Sequence, residues 1–104
     1  MEPPAWGAGR VVLIGDAAHA MAPTLALGGA MAIEDAIVLA EELAARVIDA
    51  AIERFKERRD PRVRFVQERT RITWERMAGK SIPGEPSDLL ALYRRNYEPL
   101  LEDP

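Results

Sequence analysis

Four apolar residues in a row, Val11-Val12-Leu13-Ile14, closed at once by Gly15, constrain this chain more than any other feature of it. They do not alternate with polar residues, and three of the four are β-branched, which suits extended backbone and opposes a short helix. A strand that is apolar on both faces must be covered on both, the pattern of an interior strand in a parallel sheet. Upstream, Pro3, Pro4, Gly7 and Gly9 read as an irregular lead-in, and no second convincing strand follows. Burying an unpaired peptide group costs about 1–3 kcal/mol, so the strand's donors and acceptors need partners. The strand therefore predicts sheet neighbours outside these residues, in another chain or in a longer polypeptide.

Everything downstream reads as helix. From near Gly28, the residues Ile33, Ala36, Ile37, Ala40, Leu43, Ala44 and Val47 recur at helical spacing as one apolar stripe. Glu34, Asp35, Glu41, Glu42 and Arg46 fall mostly on the opposite side, with Glu34 and Asp35 suited to the dipole at the amino end. Glu42 and Arg46 form an i,i+4 pair in the favourable order. Asp49 is placed to cap a shorter helix through Ile52 and Phe55 to about residue 59. Asp60-Pro61 reads as a second cap with proline at the first helical position, opening a separate helix over 62–77. Its loosely apolar face holds Val63, Val66, Thr70, Thr73, Trp74 and Met77, while Arg62, Arg64, Arg69, Arg71 and Arg76 interleave with Glu68 and Glu75 as a solvated face. A loop over 79–86 follows, then a short helix begun by Ser87-Asp88 and ended or kinked by Pro99. Trp74, Tyr93 and Tyr97 fit packing roles at helical positions.

Composition removes several function classes. The 104 residues allow one small domain, and a net charge of −3 gives no reason to expect nucleic acid or an anionic membrane as partner. Without cysteine there is no disulfide and no thiolate zinc site, and one histidine is no metal site either. No run approaches the roughly 18 apolar residues of a membrane span, and no secretory pattern is visible at the start, so the expected compartment is the cytoplasm.

The segment between strand and helix carries the functional signal. Gly15-Asp16-Ala17-Ala18-His19, then Pro23, then Gly28-Gly29-Ala30 is built from small residues that let backbone approach something bulky and flat. Asp16 lies at the carboxyl end of the strand, where open α/β sheets bind ligands. The helix starting near Gly28 presents free N–H groups and a positive dipole end. The expected ligand has hydroxyls for Asp16 and a partly anionic edge for the helix terminus. A simpler reading keeps Asp16 as a turn cap, and Gly28 and Gly29 as devices for tight helix–strand packing.

Eleven consecutive residues, Gly9-Arg10-Val11-Val12-Leu13-Ile14-Gly15-Asp16-Ala17-Ala18-His19, together with Pro23 and Ala32-Ile33-Glu34-Asp35-Ala36, resemble the second flavin-binding motif of the group A flavoprotein monooxygenases. These are the para-hydroxybenzoate hydroxylase-like enzymes. The resemblance covers residues 9–40, and Arg58-Arg59-Asp60-Pro61-Arg62-Val63 is similar to their carboxyl-terminal helices. It implies an α/β fragment, predominantly helical, in which one buried-type strand is followed by three to four α-helices of an FAD-binding, Rossmann-like domain. Residues 1–104 would form a single partial domain, with 9–46 the flavin-contacting strand–loop–helix and 47–104 the carboxyl-terminal helices. Carried over by position, Gly15 and Asp16 would meet the ribityl chain of FAD, with Asp16 accepting from a hydroxyl. Pro23 would lie beside the isoalloxazine ring, and Leu27, Gly28, Gly29 and Ala30 would face its pyrimidine edge. The resemblance further implies NAD(P)H as electron donor and hydroxylation of an aromatic or related hydrophobic substrate. His19 would orient the loop and would not act as a base.

Two departures limit what these residues do alone. The family usually carries Gly-Gln-Gly-(Ala or Gly)-Asn after the proline, where this chain reads Ala26-Leu27-Gly28-Gly29-Ala30 and lacks the polar side chains. The Gly-x-Gly-x-x-Gly turn that holds a dinucleotide pyrophosphate is also missing, since Gly7-Ala8-Gly9 precedes a strand and opens no helix. The expectation is a portion of a flavin hydroxylase, inactive alone, whose amino-terminal part supplies the rest of the sheet. Two alternatives stay open: a subunit completing an FAD site in trans, and a non-catalytic helical interaction module prone to self-association.

Overall fold

The computed structural model describes residues 2–21, 25 and 27–104. Within them the order is β1 (Gly7–Ala8), β2 (Val11–Val12), a single helical turn α1 (Asp16–His19), then α2 (Gly28–Ala45), α3 (Ile48–Met77) and α4 (Leu89–Tyr97), closed by a 3-10 turn over Glu98–Leu101. The chain is predominantly helical with one small sheet.

The apolar strand differs from its expected setting. β2 is only two residues long and pairs antiparallel with β1, in the register Gly7 to Val12 and Ala8 to Val11. The lead-in is therefore half of a hairpin. Gly7 permits it: φ is +95°, and a Cβ there would sit 2.1 Å from the Val11 carbonyl oxygen. Val11 remains 67% exposed and Ile14 37% exposed, so the apolar strand lies at the surface of this chain.

Trp6 anchors the hairpin. Its ring packs edge-on against Phe55, with centroids 5.5 Å apart, and lies tilted against His19 at 5.3 Å. Its Nε1 donates to Asp60 Oδ1 at 2.9 Å. Ala18, Met31, Val38, Val63 and Val66 complete the core around Trp6 and Phe55.

The two helices expected on either side of Asp60-Pro61 are one. α3 runs unbroken through Pro61, and Asp60 caps nothing; it binds Trp6 and Arg64. Proline inside a helix costs about 3 kcal/mol. Ile52 and Phe55 before it, and Val63 and Val66 after it, are all buried, at about 1.5–3 kcal/mol each. That packing offsets the lost hydrogen bond. Asp49 is likewise no cap: it is exposed, paired with Arg10 at 3.0 Å, and the N-cap residue of α3 is Val47. At the other end Asp88 does cap α4, accepting from the Ala91 amide at 3.1 Å, and the α-helix stops before Pro99.

α2 follows its predicted extent and inverts its predicted facing. The residues it buries are Met31, Asp35, Val38 and Glu42, one narrow stripe turned toward α3. Ile33, Ile37 and Leu43 of the apolar stripe stay exposed on the far side. Ion pairs join the helices: Glu34 with Arg59 and Arg62, Asp35 with Arg59, and Glu42 with Arg58, while Glu42 also pairs with Arg46 at the end of its own helix. The arginines of α3 are thus only partly a solvated face. Arg64 and Arg71 sit in exposed pairs, whereas Arg69 is buried on Asn96 at 2.7 Å. Trp74 and Tyr93 are 58% and 53% exposed, so neither packs in this chain's interior, and Tyr97 stacks on Tyr93 while its hydroxyl donates to the Leu25 carbonyl. Among the described residues no helix is long and apolar enough to cross a membrane.

Candidate functional site

The site is built around one helical turn. Gly15 takes φ +61° and ψ −144°, a backbone region open to glycine and strained for other residues. A Cβ on it would also come within 3.2 Å of Ala32 on α2. The chain then winds into α1, whose Ala18 and His19 amides both return to the Gly15 carbonyl at 2.9 Å. Asp16, first residue of the turn, is exposed. It opens on a cleft of about 420 Å³ whose walls include Pro3, Ala5, Ala17, Ala20 and Met21. Apart from Asp16 and Glu2 the lining residues are apolar, and most of them are small.

The remaining expected contact residues lie at the amino end of α2. Leu27 is its N-cap, no side chain caps it, and Gly29 and Ala30 are exposed. An α-helix leaves its first N–H groups without intrahelical partners, and these, with the positive end of the dipole, suit a negatively polarised partner. Met21 ties this end to the Asp16 cleft, since it lines that cleft and lies 3.9 Å from a Cβ built on Gly28. A Cβ on Gly29 would meet nothing within 4 Å. Neither glycine is therefore required for packing within the described residues. Pro23 lies outside the described residues.

Beneath the turn sits a charged group that sequence reasoning assigned to the helix dipole. Asp35 is fully buried, and its Oδ2 accepts from the Gly15 amide at 3.0 Å and faces His19 Nε2 at 2.5 Å. Its Oδ1 accepts from Arg59 Nε at 2.7 Å. Burial pushes the Asp35 carboxyl upward, but hydrogen bonds from His19, Gly15 and Arg59 outweigh it and hold the group below the usual carboxylate range. Glu34 follows the same logic: desolvation opposes ionisation, and Arg62 and Arg59 reverse it. His19 is buried and turns its Nε2 to the Asp35 carboxylate, which can only accept, and among the described residues its Nδ1 has no partner. That geometry gives the histidine an orienting place.

Asp35, Arg59 and Trp6 escaped the sequence reading as parts of the site. A signal existed for the first two. Met31, Asp35, Val38 and Glu42 share one helical stripe, and Arg58, Arg59 and Arg62 form a complementary cluster on the next helix.

Comparison with known proteins identifies the family. The family model described as FAD binding domain matches residues 4–71, which include the hairpin, the Asp16 turn, α2 and most of α3. The chain belongs to the FAD binding domain family. Among curated proteins, the Bacillus subtilis protein YetM, a candidate FAD-dependent monooxygenase by name, is 59% identical over 63 residues, 60% of this chain and 17% of YetM. The 3-amino-4-hydroxybenzoate 2-monooxygenase PtnB3 of Streptomyces platensis is 52% identical over 68 residues, 64% of this chain and 17% of that enzyme. A salicyloyl-CoA 5-hydroxylase of a Streptomyces species is 38% identical over 81 residues, 74% of this chain and 16% of the hydroxylase. The chain thus spans less than a fifth of the length of these relatives. No solved structure matches it.

The residues present fit the ring and ribityl side of FAD: an exposed carboxylate, a small-residue wall and an uncapped helix end. They offer no phosphate-binding glycine turn for the adenosine half.

Proposed function

We propose that this chain forms the flavin-ring side of the FAD site in a flavoprotein monooxygenase of the para-hydroxybenzoate hydroxylase-like group, where it occupies the carboxyl-terminal part of a Rossmann-like domain. The observation that carries this reading is the exposed Asp16 carboxylate, held on a single clamped turn beside the uncapped end of α2. Asp16 accepts a hydrogen bond from a ribityl hydroxyl, with Gly15 giving the backbone its close approach. The N–H groups near Leu27, Gly28, Gly29 and Ala30 face the pyrimidine edge and favour negative charge there. When bound, FAD supplies the redox and oxygen chemistry, with NAD(P)H as electron donor and an aromatic or related hydrophobic molecule as substrate. The protein's share is to bind, orient and exclude water.

Residues 1–104 act in this reading as one partial domain, with 9–46 contacting flavin and 47–104 buttressing it. The adenosine site and the substrate site come from an amino-terminal polypeptide, in the same chain or in a partner, in the cytoplasm. That polypeptide adds strands beside β2 and covers the outer face of α2. Alone, the chain is inactive.

The test is an FAD titration of the purified chain followed by flavin fluorescence. Saturable binding that Asp16→Ala weakens by about 1.5–3 kcal/mol, the worth of a hydrogen bond to a charged group, supports the reading. Binding indifferent to Asp16→Ala, or no binding at all, counts against a flavin site built on this turn.

A further inference from the structure

Resting on that flavin reading, we propose that Asp35 and Arg59 are positioning residues: through them α3 sets the direction in which Asp16 leaves its turn. Neither reaches the Asp16 cleft, for both side chains are fully buried. Their hold on the turn is nonetheless complete. One oxygen, Asp35 Oδ2, receives the Gly15 amide just before α1 and the ring of His19, the last residue of α1. Both ends of the turn that carries Asp16 are thus fixed to a single atom.

Arg59 fixes that atom in its turn. Its Nε donates to the other Asp35 oxygen, Nη1 donates to Glu34 at 2.9 Å, and Nη2 donates to the Met31 carbonyl at 3.3 Å. A guanidinium has donors in a rigid planar fork, so three bonds to three acceptors leave the Asp35 carboxylate one orientation. Joining two helices does not require this. Buried ion pairs are often matched or bettered in stability by apolar residues of similar volume, whereas direction is something apolar contacts do not supply. The backbone it directs is also the one with the most freedom to lose, since Gly15 has no Cβ and its positive φ is one of several regions open to it.

Lysine in place of arginine separates direction from charge. Arg59→Lys keeps the positive charge against Glu34 and Asp35 and loses the planar fork. It is to be made in the full chain and read in two ways: FAD affinity by flavin fluorescence, and hydrogen exchange of the Gly15 amide relative to the Val38 amide within α2. The expected result is FAD binding weakened about tenfold or more, with Gly15 exchange accelerated by a similar factor relative to Val38. Equal acceleration of both amides reveals a purely structural role and overturns the proposal, as does an unchanged ratio with unchanged affinity. If Arg59→Lys does not fold, Asp35→Asn, which keeps size and one acceptor oxygen, is read by the same ratio, with the same outcomes for and against. Should the unaltered chain bind no FAD, the flavin reading fails by itself, and the exchange ratio still decides whether α3 positions the turn.

Discussion

The two long faces of α2 oppose each other in more than direction. The face against α3 holds Met31, Asp35, Val38 and Glu42, two apolar and two acidic residues, all nearly sealed from water. The face turned away holds Ile33, Ile37 and Leu43, at 64%, 48% and 46% exposure. A helix in a self-sufficient domain buries its apolar stripe. Here charge lies on the inside, where it holds Gly15 and His19, and the apolar stripe is left exposed.

Removing the inner charge has the largest expected effect. Asp35→Leu leaves the buried Arg59 with Glu34 alone and strips the Gly15 amide and His19 of their acceptor, and is expected to cost about 3–5 kcal/mol in urea unfolding. A loss under about 1 kcal/mol would show that Met31 and Val38 hold the inner face by themselves. Acid acts on the same face more gently. Because Asp35 and Glu34 have folded values below their ordinary ones, the unfolded chain binds protons first as pH falls. Their contribution is full above the unfolded values near about pH 4 and drains away as pH drops through the lowered folded ones. Urea midpoints are therefore expected to be level from about pH 7 to 5 and to decline below, and a midpoint level down to about pH 2.5 would remove the inner-face charges from the stability of the fold.

The outer face should respond least. Ile33→Ser with Ile37→Ser is expected to change stability by no more than about 0.5 kcal/mol per site while reducing self-association in sedimentation. A loss of several kcal/mol would mean that these side chains are already covered by another copy of the chain.

Much of the site was legible because it is local. Gly15 before Asp16, the small residues after it and the helix start at Gly28 are nearest-neighbour facts, and the structure keeps them. What was not legible depends on contacts across the fold. Pro61 reads as a helix start until Phe55 and Val63 are seen buried on either side of it. The stripe of α2 reads as a core face until the ion pairs with Arg59 and Arg62 show which side α3 takes. Asp35 reads as a dipole partner because its bonds reach back 20 residues to Gly15 and forward 24 to Arg59. Trp6 reads as part of an irregular lead-in because its partner, Asp60, is 54 residues away.

That last separation bears on the order in which the molecule comes together and apart. α2 and α3 are joined by only the two residues between Ala45 and Ile48, so their pairing closes short loops and forms with little entropic cost. The Trp6–Asp60 bond closes a loop of 54 residues and has to wait for α3 to exist. The hairpin is accordingly expected to dock last and to lift first. Breathing of the native state would open the Asp16 cleft while the helical pair stays folded.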